Sequence, residues 1–102
     1  MAQHIGCRLE DKNGKLIKDS ELNFALIKKI LWDVDAKKRY KWLHAIDEYG
    51  DTVFNSLQIP IVVAELEKLK NEVSQDTQNL IYQFIEFLKT ISVHEYIKFN
   101  GD

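Results

Sequence analysis

Near the start of the chain Ile5, Cys7 and Leu9 alternate with His4, Gly6 and Arg8, the period of two that marks a strand with one buried face. Asn13-Gly14 follows, a pair tolerant of positive φ, and predicts a type I′ hairpin turn with Leu16 and Ile17 on a short return strand. From Asp19-Ser20 the period lengthens. Leu22, Ala25, Leu26 and Ile30 fall on one stripe, widened by Phe24, Ile27 and Leu31, and predict a helix over 20–32. Lys28 and Lys29 sit near its C-terminal end, where positive charge complements the helix dipole.

Asp35 can cap a second helix, ending near residue 46, in which Ala36, Tyr40 and Leu43 share a face. Residues 44–59 are the least regular part of the chain. Tyr49-Gly50-Asp51 reads as a turn, and for 52–57 periodicity does not choose between a helical turn and an extended segment. Pro60 suits the first turn of a helix, and Val62, Leu66, Leu69 and Val73 carry it on. Ser74 or Asp76 caps a last helix whose stripe holds Leu80, Ile81, Phe84, Phe87, Leu88 and Ile91. After Ser92 the period returns to two, with Val93, Ile97 and Phe99 against His94, Tyr96 and Lys98, which predicts a closing strand.

A two-stranded hairpin is marginal in water, so the closing strand is expected to join the N-terminal hairpin. The predicted fold class is α+β: about four helices packed on a small antiparallel sheet formed by the hairpin and the C-terminal strand, in the order 2-1-3. Its apolar face would be Ile5, Cys7, Leu9, Ile97 and Phe99.

The chain has 102 residues, enough for a single globular domain over 1–102. A single Cys excludes an internal disulfide framework and points to a reducing, cytoplasmic setting. No apolar run is long enough to span a bilayer, so no membrane association is expected. The net charge of −2 lacks the basic excess of a dedicated nucleic-acid binder.

Charge is unevenly placed along the chain. Lys37-Lys38-Arg39-Tyr40-Lys41-Trp42 interleaves cations with aromatics, the composition of a nucleic-acid surface, although a helix would turn Tyr40 inward and spread Lys37 to Lys41 over a solvated face. Residues 42–67 then contain no Lys or Arg but hold Asp47, Glu48, Asp51, Glu65 and Glu67. Asp47, Glu48 and Asp51 beside Tyr49 and Trp42 are what a domain meeting a basic partner would present, since charge steers encounter and aromatics anchor it. The structural alternative is that the two aspartates cap turns while the aromatics pack. His44 with Asp47 and Asp51 could form an acid–base pair or part of a metal site, but a His at a helix end ordinarily caps or packs. His4 and His94, both expected on strands, add two ligands at most, and no metal-binding spacing such as HExxH is present. Cys7 with His94 on a neighbouring strand is a conceivable nucleophile pair, but Cys7 belongs to the apolar face. Neither a phosphate-binding glycine loop nor a nucleophile elbow occurs, so no enzyme activity and no cofactor are expected.

The segment at 47–58, Asp47-Glu48-Tyr49-Gly50-Asp51-Thr52-Val53-Phe54-Asn55-Ser56-Leu57-Gln58, resembles that of a group of small, poorly characterised bacterial proteins with the pattern D-x-Y-G-D-T-V-F-N-x-L-Q before a Glu-rich amphipathic helix. The resemblance extends to the closing His94 to Asp102 stretch and brings no assigned chemistry. Small acidic bacterial domains are often immunity proteins, and by that analogy the expected function is a non-enzymatic immunity protein occluding the active site of a cognate toxin, such as a basic nuclease. In such a motif Gly50 would supply an unusual backbone angle, while Asp51 or Asn55 would accept hydrogen bonds from free backbone N–H groups.

Overall fold

Strand pairing joins the two ends of the chain. In the computed structural model, residues 6–20, 29–31, 36–47 and 50–100 are described. Strands β1 (Gly6–Glu10) and β2 (Leu16–Asp19) are followed by two short helices, α1 (Ala36–Arg39) and α2 (Lys41–His44), then by β3 (Asp51–Asn55). Helix α3 (Ile59–Leu69) runs into a 3-10 turn (Lys70–Glu72), and α4 (Gln75–Leu88) precedes β4 (Tyr96–Asn100). The four strands form one antiparallel sheet in the order β2-β1-β4-β3, and with the helices they make an α+β fold. The expected order of hairpin and closing strand is present, extended by β3 at the edge.

The inner sheet face follows from the alternation. Cys7 pairs with Phe99 and Leu9 with Ile97, and all four are buried. Across the next pairing Thr52 lies beside Phe99 and Phe54 beside Ile97. Phe99 receives edge-on contacts from Phe54 and Phe84 at centroid distances of 5.9 and 5.8 Å, so α4 is seated directly on the sheet. Strand β3 escapes a hydrophobicity reading because two of its positions go against it: Thr52 faces inward with Phe54, while Val53 faces out beside Lys98 and is half exposed.

The hairpin loop differs from the expected two-residue turn. Gly14 (φ 80) is left-handed and Asn13 is not. The loop is three residues long, closed by Asp11 N–H to Lys15 C=O at 2.9 Å and Gly14 N–H to Asp11 C=O at 3.0 Å, the type I turn with a following left-handed residue. The Asp11 carboxylate selects it by accepting from Asn13 and Lys15 N–H.

Of the predicted helix over 20–32, residues 21–28 and 32 lie outside the described residues; Ser20 is not helical, its N–H donating to Cys7 C=O at 3.0 Å, and 29–31 are helical, with Ile30 and Leu31 fully buried. The predicted helix over 35–46 is instead two four-residue helices broken at Tyr40, whose φ of −125° and ψ of 121° are extended. Ser74 caps α4, its hydroxyl accepting from Thr77 N–H, and Ile81, Phe84, Phe87 and Leu88 are buried as the stripe predicts. The closing strand starts later than its pattern suggests. Ser92 to Glu95 form a turn, closed by Glu95 N–H to Ser92 C=O at 3.1 Å and by Ser92 N–H to the Glu95 carboxylate at 2.8 Å. Val93 is therefore exposed rather than core, and His94 takes a left-handed φ of 69°.

Candidate functional site

The junction between α2 and β3 assembles the residues singled out by charge. Trp42 is half buried, its ring 5.9 Å from that of Phe54 at 58°. Three residues past the end of α2, the Asp47 N–H donates to the Thr52 hydroxyl at 2.9 Å, and that hydroxyl lies 3.4 Å from the Ala45 carbonyl. The inward-facing Thr52 thereby ties the loop to the edge strand. Asp47 and Asp51 are both exposed. Glu48 and Tyr49 lie outside the described residues, so the junction is drawn from Trp42, Asp47 and Asp51.

The acidic groups of the cation-free stretch meet different partners in the fold. Asp51 lies 3.5 Å from Lys98 Nζ, an exposed pair of small energetic value. Glu67 pairs with Lys70 at 2.8 Å, which holds its carboxyl below the ordinary value. Glu65 turns inward and accepts from Trp42 N–H at 3.0 Å and Leu43 N–H at 2.9 Å. These are the N–H groups that a helix start leaves without an intrahelical acceptor, so Glu65 on α3 caps α2 from a distance of over twenty residues in sequence. Of the described acids in this stretch, Asp47 and Asp51 are the exposed ones, and Asp51 has Lys98 beside it.

Gly50 is not left-handed. A Cβ there would stand 2.9 Å from an Asp47 carboxylate oxygen, so the glycine makes room for that side chain. Asn55 does accept local N–H groups as expected, from Leu57 at 3.0 Å and Gln58 at 2.9 Å. The Gln58 side chain in turn accepts from Asn55 N–H at 2.9 Å.

The basic run splits between two helices. Lys38 and Lys41 are exposed, but Arg39 lies 2.7 Å from Glu72 and 5.6 Å from the Tyr40 ring centroid. The Tyr40 hydroxyl donates to Glu72 at 3.1 Å. Burial first, then this hydrogen bond, raise the Tyr40 hydroxyl above its ordinary pKa. Arg39, which stays exposed, and half-buried Tyr40 are thus both engaged by Glu72.

Among the described residues no three His, Cys, Asp or Glu side chains cluster as metal ligands, and His44, Asp47 and Asp51 form no such group. His94 stands in the turn before β4 rather than on a strand, and His4 lies outside the described residues. Cys7 is buried against the helices, and burial, reinforced by Asp19, pushes its thiol far above the ordinary range. Such a thiol is inert as a nucleophile at neutral pH.

The charge pattern did not single out an apolar groove of about 740 Å³ between the start of α3 and the end of α4. Pro60, Val63 and Ile91 wall it, and Leu57 and Val93 stand at its rim with 82% and 73% of their surface exposed. Among the described residues Lys89 is its one charged lining residue, so it is chemically distinct from the aspartate junction. Among the described residues no helix is long and apolar enough to cross a membrane. No protein-family model matches the chain, and neither a curated protein nor a solved structure is found to be similar to it.

Proposed function

We propose that the chain is a non-enzymatic protein-binding domain, and specifically an immunity protein that covers the basic active-site cleft of a toxin, such as a nuclease, in the cytoplasm. The observation that carries this reading is the exposure of Asp51 on β3 and of Asp47, tied to β3 through Thr52, with half-buried Trp42 against Phe54 of the same strand. Two carboxylates on a loop fixed by Thr52 can stand where a substrate's phosphates would lie, and their field accelerates encounter with a cationic cleft.

The test takes the partner recovered by affinity enrichment from the source cells and measures its association rate with the wild type and with Asp47→Lys/Asp51→Lys. At low salt the double reversal is expected to slow association by roughly tenfold or more. Lys98→Ala, which releases Asp51 from its ion pair, is expected to speed it. Equal rates for wild type and the reversed variant would sink the reading.

A further inference from the structure

We propose that residues 36–46 form a strap that opens as a unit, latched to the body of the protein by the carboxylates of Glu65 and Glu72. The strap consists of α1, the extended Tyr40 and α2, followed by Ala45 and Ile46. Helices of four residues are far below the length at which a helix persists in water, so the strap's conformation depends on what it is fastened to.

Among the described residues the strap is fastened to Glu65 and Glu72 of the opposite layer, and its trailing Ala45 carbonyl lies 3.4 Å from the Thr52 hydroxyl of β3. Glu65 takes the N–H groups of Trp42 and Leu43. Glu72 takes the Tyr40 hydroxyl and the Arg39 guanidinium. The first post is rigid, since Glu65 stands on α3 between Val62, Leu66 and Leu69, all fully buried. Neighbouring Lys70 is engaged elsewhere, with Glu67 at 2.8 Å and over the Tyr82 ring at 4.5 Å. Beneath the strap, Leu43 and Ile46 enter the core and Trp42 rests on Phe54. These apolar contacts favour closure, while the two carboxylates fix register and direction, because hydrogen bonds to a charged acceptor are the stronger kind. Opening would free Trp42 and the approach to Asp47 together. Its consequence for partner capture rests on the binding function proposed above.

Hydrogen exchange on the isolated chain at neutral pH reads the latch without any partner, so the two proposals fail separately. In Glu65→Gln/Glu72→Gln, the amides of Trp42 to Ile46 are expected to lose protection by roughly tenfold or more, as for loss of a charge-assisted hydrogen bond. The amides of α4 and β4 are expected to keep theirs. Unchanged strap protection, or an equal loss throughout the molecule, overturns the proposal. Should the double variant not fold, Glu72→Gln alone carries the same test, with the loss expected at residues 40–44.

Discussion

His94 and Gly14 solve the same backbone problem with different side chains. Gly14 holds φ 80 with open space around its Cα, and its lack of a Cβ makes the left-handed region cheap. His94 holds φ 69 in the turn before β4, where an L-residue with a Cβ is penalised. Its position is imposed by Ser92 and Glu95, which close the turn on either side. His94→Gly is therefore expected to raise stability by about 0.5–1 kcal/mol, the relief of left-handed strain less the added freedom of the unfolded chain. Urea denaturation of the two proteins measures it, and a lower midpoint in the variant would show that the imidazole itself is stabilising.

Among the elements, α4 was readable in advance and the α1–α2 strap was not. Helix α4 has a cap, Ser74, and an unbroken stripe, and both are local properties of sequence. The Ser74 hydroxyl accepts from Thr77 N–H at a long 3.5 Å, so Ser74→Ala is expected to cost about 0.5–1 kcal/mol, the weaker end for an N-cap. Thermal unfolding of the variant measures it. The strap's pattern Ala36, Tyr40, Leu43 suits one continuous helix, yet the chain turns extended at Tyr40 because Glu65 supplies a new start at Trp42 and Glu72 holds the Tyr40 hydroxyl. Glu65 was visible beforehand only as one of five acids in a cation-free stretch. Its place beside the Val62–Leu66–Leu69 stripe was the available hint that it faced inward. Strand β3 was hidden for a related reason, its inward Thr52 being held by bonds to the 45–47 loop rather than by hydrophobicity.

On the scale of the whole molecule, the shared core ties stability to a thiol. Cys7 sits on the inner sheet face with its pKa raised in the folded state above the ordinary 9.0, chiefly by burial. A raised folded pKa means that the contribution is complete below 9.0 and is lost as pH rises above that value, where the unfolded chain ionises first. Wild-type stability is therefore expected to fall on the alkaline side of 9.0 with a slope approaching about 1.4 kcal/mol per pH unit from this group. Cys7→Ala is expected to be less stable at neutral pH but to lack that part of the slope. Denaturant midpoints across the alkaline range compare them, and parallel curves for the two proteins would remove Cys7 as the cause.

The sequence alone determined the α+β class, the pairing of the N-terminal hairpin with the closing strand, and the inward set Cys7, Leu9, Ile97 and Phe99, because each rests on periodicity or on capping between near neighbours. It also marked Trp42, Asp47 and Asp51 as near neighbours in the chain. Tertiary structure decided what these carboxylates meet: Glu65 went to a helix start and Asp51, still exposed, stands beside Lys98, partners 22 and 47 positions away. It likewise added β3 to the sheet and broke the helix at Tyr40. A charge or a backbone N–H is satisfied by whatever the fold brings within about 3 Å, and sequence spacing holds no record of that distance.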